Sequence, residues 1–141
     1  MARTGAYPSI VQQADAAADD SDKTLTVPAG KAWRLRSLFA RLVSTATAGN
    51  RQLDVLITDE SDNVLGTYKA GAVQAASLTR DYIFAPGHPQ ETGFTGQVML
   101  RALAEAWTLP AGYKVRVYDS AAIAAAADDL TVRLLVEELA E

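Results

Sequence analysis

Short stretches in which apolar and polar residues alternate constrain this chain more than any other feature of its sequence. The clearest is RQLDVLIT at residues 51–58, where Leu53, Val55 and Ile57 share one side and mostly polar residues occupy the other. Alternation with a period of two is typical of a β-strand that buries one face. From residue 23 onward no stretch sustains the apolar spacing of a helix. These observations predict an all-β fold.

We predict about eight strands, separated by turns rich in glycine, proline, asparagine and aspartate. The strands cover residues 23–27, 31–45, 51–58, 64–68, 78–85, 98–103, 113–118 and 130–136. A Pro-Ala-Gly corner precedes two of them, in LTVPAGKAWRLR at 25–36 and in WTLPAGYKVRVY at 107–118. Proline presets a turn and glycine accepts a positive φ, so each corner starts a strand. Two such corners suit two related Greek-key halves, and therefore a two-sheet β-sandwich of jelly-roll type.

Length and composition limit both the number of domains and the available chemistry. The chain has 141 residues, no cysteine and one histidine. One core suffices at this length, and we expect a single β-sandwich domain over residues 23–141. Without cysteine there is no thiolate nucleophile and no disulfide, and a single histidine excludes a site of two or three imidazoles within one subunit. We therefore predict no catalytic, metal or cofactor site, and no enzyme.

The charge balance and the hydropathy exclude two further classes of partner. Acidic residues outnumber basic ones by 17 to 13, which gives a net charge of −4. A surface that binds phosphate backbone would normally be basic, so we expect no direct nucleic-acid partner. No apolar run approaches the roughly 18 residues of a membrane span, and the first residues lack the apolar core of a secretory signal. We expect a soluble, unprocessed chain without a membrane partner.

Residues 1–22 differ from the rest because alanine and aspartate dominate them. We predict an extended N-terminal arm here. The alanines also allow a helix over 9–18, although ten residues without tertiary support are marginal in water. The arm carries a small apolar cluster, formed by Tyr7, Pro8, Ile10 and Val11. Such a cluster has little reason to be exposed, so these residues are candidate contacts with the chain's own sandwich or with a neighbouring subunit.

The predicted strand 31–45 is apolar on both faces. It begins with Arg34 and Arg36 on one face, and strict alternation then places Leu38 and Leu42 on that same face. A strand that is apolar on both sides is covered on both sides. Arg34, Arg36, Leu38 and Leu42 are therefore candidate subunit or capsid contacts. The alternative is a β-bulge near Ser37, which would exchange the two faces.

The remaining residues of chemical interest favour structural roles. His88 lies between two prolines in PGHPQ, without a recognisable carboxylate and nucleophile partner, and is a candidate loop contact. The acidic turn DESDN at 59–63 lacks the glycine and terminal glutamate of a calcium loop. The aromatic residues could stack on a sugar, but their alternating positions favour core packing. They are Trp33, Tyr82, Phe84, Trp107 and Tyr113.

Four features together resemble a known class of proteins. They are the acidic, alanine-rich arm, the two Pro-Ala-Gly corners, the hairpin GNRQLDVLITDESDNVLG and the closing strand DDLTVRLLVEEL. In these the chain is similar to the jelly-roll capsid decoration, or cement, proteins of tailed bacteriophages. The resemblance covers about residues 23–139 and rests on turns and strands, without a diagnostic catalytic motif.

The resemblance implies a structural virion protein located on the capsid surface. Such a protein binds the outside of the shell as a homodimer or homotrimer, and stabilises the shell by bridging subunits of the major capsid protein. The alternative is a jelly-roll module of the phage tail or baseplate that binds host glycans. A metal-independent lyase or glycosidase on a β-sandwich is a third, less favoured interpretation.

Overall fold

The computed structural model describes residues 23–103, 108–121, 123 and 127–140, and the backbone of residues 7–12. Ten strands and no helix occur in these ranges, so no helix there could span a membrane. The strands are β1 (Tyr7–Gln12), β2 (Lys23–Thr26), β3 (Lys31–Val43), β4 (Leu53–Thr58), β5 (Val64–Lys69), β6 (Thr79–Ala85), β7 (Val98–Ala102), β8 (Thr108–Leu109), β9 (Lys114–Asp119) and β10 (Asp129–Ala140). The predicted all-β fold is confirmed.

The strands form two sheets with jelly-roll connectivity. The six-stranded sheet has the order β1-β10-β3-β6-β7, with β8 also paired to β3, and the four-stranded sheet has the order β2-β9-β4-β5. The antiparallel pairs β1–β10, β2–β9, β3–β6 and β4–β5 are nested one inside the other. This nesting is what results when one long hairpin is rolled up, as in a jelly roll. The short β8 and the parallel strand β7 are additions to that plan.

The core lies between the two sheets. From the six-stranded sheet it takes large side chains such as Trp33, Leu38 and Phe84, and from the four-stranded sheet residues such as Leu53 and Val117, all of them buried. Alternate residues face this core most regularly in β9, whereas all six residues of β4 are buried. The alternation read from the sequence therefore reports burial correctly over most of the chain.

The β-bulge, and not the doubly covered strand, explains the apolar pattern of β3. Leu135 of β10 pairs with Ser37 and Val136 pairs with Leu35, which leaves Arg36 without a partner in the register. The extra residue exchanges the faces, so Leu38 and Leu42 point into the core and are 1% and 0% exposed. The prediction that Leu38 and Leu42 are subunit or capsid contacts is therefore wrong for this chain.

Part of the predicted arm is a strand of the sandwich. Residues 7–12 form β1 and pair antiparallel with β10, with Ile10 opposite Leu135. The alternative of a helix is wrong for residues 9–12, because pairing with a sheet edge outweighs a weak local propensity. Pro8 is compatible with this position because β1 is an edge strand. Residues 1–6 and 13–22 lie outside the described part of the chain.

The two Pro-Ala-Gly corners lie side by side at one end of the sandwich. In each of them the backbone N–H of the residue after the glycine donates to the proline carbonyl, from Lys31 to Pro28 and from Tyr113 to Pro110, both at 3.2 Å. Gly30 and Gly112 have φ angles of 75° and 89°, which suit glycine. The corners are also joined, because the Gly112 N–H donates to the carbonyl of Val27. The two copies of the Pro-Ala-Gly repeat therefore form two adjacent turns that are hydrogen-bonded to each other.

Candidate interaction surface

The most deeply buried charges form an ion pair that fixes loops. Arg51 and Asp128 are both fully buried, and Nε of Arg51 donates to Oδ2 of Asp128 at 2.7 Å. The Arg51 guanidinium also donates to the carbonyls of Thr47 and Gly49, and Thr45 donates to Asp128 from its N–H and hydroxyl. Burial alone would raise the pKa of Asp128, but the hydrogen bonds from Arg51 and Thr45 outweigh it and hold that pKa below its ordinary value.

A second buried polar cluster lies at the same end of the sandwich. Nε2 of Gln74 donates to the carbonyls of Leu42 and Leu78, and the Tyr82 hydroxyl donates to Oε1 of Gln74 at 2.8 Å. Burial, with the nearby negative charge of Asp119, raises the pKa of Tyr82 well above its ordinary range. The tyrosine is therefore neutral and bonded within the core, so this cluster positions the 74–78 loop against β3 and β6.

The predicted loop and turn residues have local partners. His88 is half-buried in the turn after β6, and its backbone N–H donates to the carbonyl of Ala85. The oxygens of Asp59 accept hydrogen bonds from Ser61 and from the backbone and side chain of Asn63, and these bonds lower the pKa of Asp59. Over the described residues no group of three or more potential metal-ligating side chains comes together.

Within the described residues, the aromatic side chains considered for sugar stacking do not form an exposed platform. Trp33, Tyr82 and Phe84 are buried in the core, and Nε1 of Trp33 donates to Glu138 at 3.0 Å. Tyr113 packs partly buried against that core. The interpretation of these four residues as core residues is confirmed, and Trp107 lies outside the described residues.

An apolar row crosses the outer face of the six-stranded sheet. Phe39 of β3 pairs with Ile83 of β6, which pairs with Leu100 of β7, and all three are half-buried. On the other side of Phe39 stands Arg133 of β10, whose guanidinium lies 5.9 Å from the centre of the Phe39 ring. Half-buried Leu135 follows two residues later on the same face of β10. We call Phe39, Ile83, Leu100 and Leu135 the apolar row.

Arginines surround the apolar row. Arg34 and Arg36 are exposed and share one carboxylate, that of Glu137, at 3.0 and 3.2 Å. Arg41, also exposed, forms a bidentate pair with Asp81 at 2.7 and 3.2 Å. Two guanidiniums on a single carboxylate leave an excess of positive charge beside the row. The predicted contacts Arg34 and Arg36 are thus brought onto one face, whereas His88 belongs to a separate loop.

The composition of this face suits recognition of another protein. Aromatic residues and arginine are enriched in protein interfaces, and an apolar centre with a polar rim is their usual anatomy. A partner with an apolar patch edged by acidic groups would complement it. The sequence analysis did not select Phe39, Ile83 or Leu100 as surface contacts. The β-bulge at Arg36 is the signal that would have found Phe39, because it moves Phe39 to the outside, whereas Ile83 and Leu100 join it only through strand pairing.

No protein-family model and no curated protein sequence matches this chain. Among solved structures, a chain of turnip yellow mosaic virus is similar, with a TM-score of 0.39 and 13% sequence identity. The likeness covers 99% of this chain and 81% of the viral chain. At that identity and TM-score it carries no argument about family or function.

Proposed function

We propose that this chain is a structural virion protein that binds the outside of a phage capsid and stabilises the shell by bridging major capsid subunits. The observation that carries the proposal is the apolar row with its arginine border on the outer face of the six-stranded sheet. The resemblance of the hairpin, corners and closing strand to capsid decoration proteins supplies the class of partner. The docking face is expected to contact a shell subunit, with homodimers or homotrimers as the assembling unit.

The buried polar groups support a binding role over a catalytic one. The hydrogen bonds of the buried polar side chains join loops and strands of the sandwich to one another, as those of Arg51, Asp128 and Gln74 show. A substrate would need groups that are accessible and free to change partners. A rigid sandwich that carries the apolar row on its outer face is instead suited to binding neighbouring subunits and holding them in place.

The first test is the copy number of the protein in purified particles of the virus that encodes it. Quantitative mass spectrometry against the major capsid protein should give a ratio near one, or a simple fraction such as one third. A few to a few dozen copies per particle would instead support the tail or baseplate module. Absence from the particle would overturn both structural functions.

The second test asks whether the apolar row is the docking face. Phe39→Asp should weaken binding to particles that lack the protein by at least about tenfold, because a charge then replaces a central apolar contact. Thr26→Asp is the matched control, since Thr26 is an exposed residue at the end of β2 in the other sheet. Equal binding by the two variants, with both folded by circular dichroism, would contradict the assignment of this face.

A further inference from the structure

The edge strand β5 exposes apolar residues. It lies at the end of the four-stranded sheet, and Val64 and Leu65 are 55% and 47% exposed. Over the described residues only two other large apolar side chains are counted as exposed, Val43 and Val73. An edge strand with exposed apolar residues is a template for pairing with another strand.

The other long edges carry features that prevent such pairing. On β7, the N–H of Glu91 donates to the carbonyl of Leu100, and the Leu100 N–H donates to the Glu91 carboxylate at 2.7 Å. On β1, Pro8 removes one backbone donor. On β5, one hydrogen bond covers an outward-facing backbone group, from Nε of Arg101 to the carbonyl of Lys69 at 2.9 Å.

The backbone of β5 also shows which groups face outward. The N–H of Ala70 donates inward to the Leu53 carbonyl next to β4, whereas the carbonyl of Lys69 faces Arg101. Successive residues of an antiparallel strand point alternately to either side, so the N–H and C=O of Thr67 point outward as those of Lys69 do. Within the described part of the chain no hydrogen bond reaches these groups of Thr67. A β-bulge at Leu65 limits regular pairing to the residues that follow it.

The charge pattern along this edge selects a second copy of the chain as the partner. An exposed acidic turn, with Glu60 and Asp62, precedes β5, while Lys69 and Arg101 stand at its other end. Two copies paired antiparallel would bring the basic end of each beside the acidic turn of the other. Parallel pairing would place like charges together. Asp62 also pairs with Lys114 and Lys69 lies 4.0 Å from Asp54, so Glu60 is the acid most available to a second copy.

We propose that two copies associate through β5 in antiparallel fashion, around a two-fold axis beside Thr67. The four-stranded sheets then join into one continuous sheet, and the two Thr67 residues exchange a pair of backbone hydrogen bonds. Leu65 of each copy lies along the aliphatic stem of Lys69 of the other. This surface lies on the opposite sheet from the apolar row, so both can be occupied at once.

The test compares Thr67→Pro with Thr67→Val by sedimentation velocity over about 1 μM to 1 mM, where weak specific contacts are observed. Proline removes the outward N–H, which the monomer does not use, whereas valine keeps it. We expect Thr67→Pro to weaken dimerisation at least about thirtyfold, as for the loss of two ordinary hydrogen bonds. Thr67→Val should dimerise like the wild type. Leu65→Lys, at the exposed bulge, should weaken the dimer without changing the ends of the strand.

Two results would overturn the inference. One is a wild-type protein that stays monomeric throughout the concentration range. The other is a dimer that Thr67→Pro and Leu65→Lys leave unchanged while circular dichroism shows both folded. Neither result bears on particle binding through the apolar row, since Phe39→Asp tests that separately.

Discussion

Removing the Arg51 guanidinium should cost more stability than any exposed charge in this protein. Arg51→Met deletes hydrogen bonds to Asp128, Thr45, Thr47 and Gly49, and leaves the Asp128 carboxylate buried without its counter-ion. Breaking a buried pair in this way costs about 3–5 kcal/mol. With a urea m-value of about 2 kcal/mol/M, the midpoint should fall by roughly 1.5–2.5 M. Equilibrium unfolding in urea, followed by circular dichroism, measures it.

The control is Arg41→Met, which breaks a pair of similar length whose arginine side chain is 49% exposed. The Arg41 end of this pair is solvated, and the buried carboxylate of Asp81 keeps a hydrogen bond from Gln97, so the loss should be about 1 kcal/mol or less and the midpoint should move little. The double variant Arg51→Met/Asp128→Leu should recover much of the loss, because it removes the unpaired charge. A difference of less than about 1 kcal/mol between Arg51→Met and Arg41→Met would refute the reasoning.

The same pair has a pH signature. The folded protein lowers the pKa of Asp128 from its ordinary value of 3.8, so the unfolded chain binds the proton more readily. The stabilisation is therefore fully present above pH 3.8 and is lost as the pH falls through the lower, folded-state pKa. As the pH falls through that range, the free energy of unfolding should decrease less for Arg51→Met than for the wild type. Urea titrations at a series of pH values measure both decreases.

Two further predictions concern buried polar groups. Tyr82→Phe should cost about 1–3 kcal/mol in the free energy of unfolding, because Oε1 of Gln74 loses its donor in the core; an unchanged urea midpoint would contradict this. Burial raises the pKa of Asp54 above its ordinary value of 3.8, and its Oδ1 has no hydrogen-bond partner in the described residues. The ionised form of Asp54 thus opposes folding at neutral pH, so Asp54→Asn should increase the free energy of unfolding at pH 7. This gain should disappear below about pH 4, where the wild-type carboxyl is protonated. A variant less stable than the wild type at pH 7 would show that the attraction between Lys69 and the Asp54 carboxylate outweighs the cost of burial.

The sequence predicted the strands well where one face is buried and the other solvated. The predicted strand 113–118 corresponds to β9 at Lys114–Asp119, and 130–136 lies within β10 at Asp129–Ala140. It did not predict the strand at Tyr7–Gln12, because that segment becomes a strand only by pairing with β10. Local patterns carry no information about such a distant partner.

The interaction surface could not be read from the sequence for a related reason. One extra residue at Arg36 exchanges the faces of β3, and only the register with β10 shows where it lies. Phe39, Ile83 and Leu100 come from three strands and meet only when those strands pair. Arg34 and Arg36 are exposed because they precede or occupy the bulge, and their role as subunit or capsid contacts stays a prediction.

The position of β10 has a consequence for how the protein is made. This strand lies inside the six-stranded sheet, between β1 and β3, and pairs Glu138 with Tyr7 and Ala140 with Lys31. The ribosome therefore makes β1 and β3 well before β10, and that sheet can close only after residue 140 has left the ribosome. Pairings so distant in sequence fold slowly. Until β10 has been made, β1 and β3 lack their common neighbour, and the exposed strand edges are open to pairing with other chains.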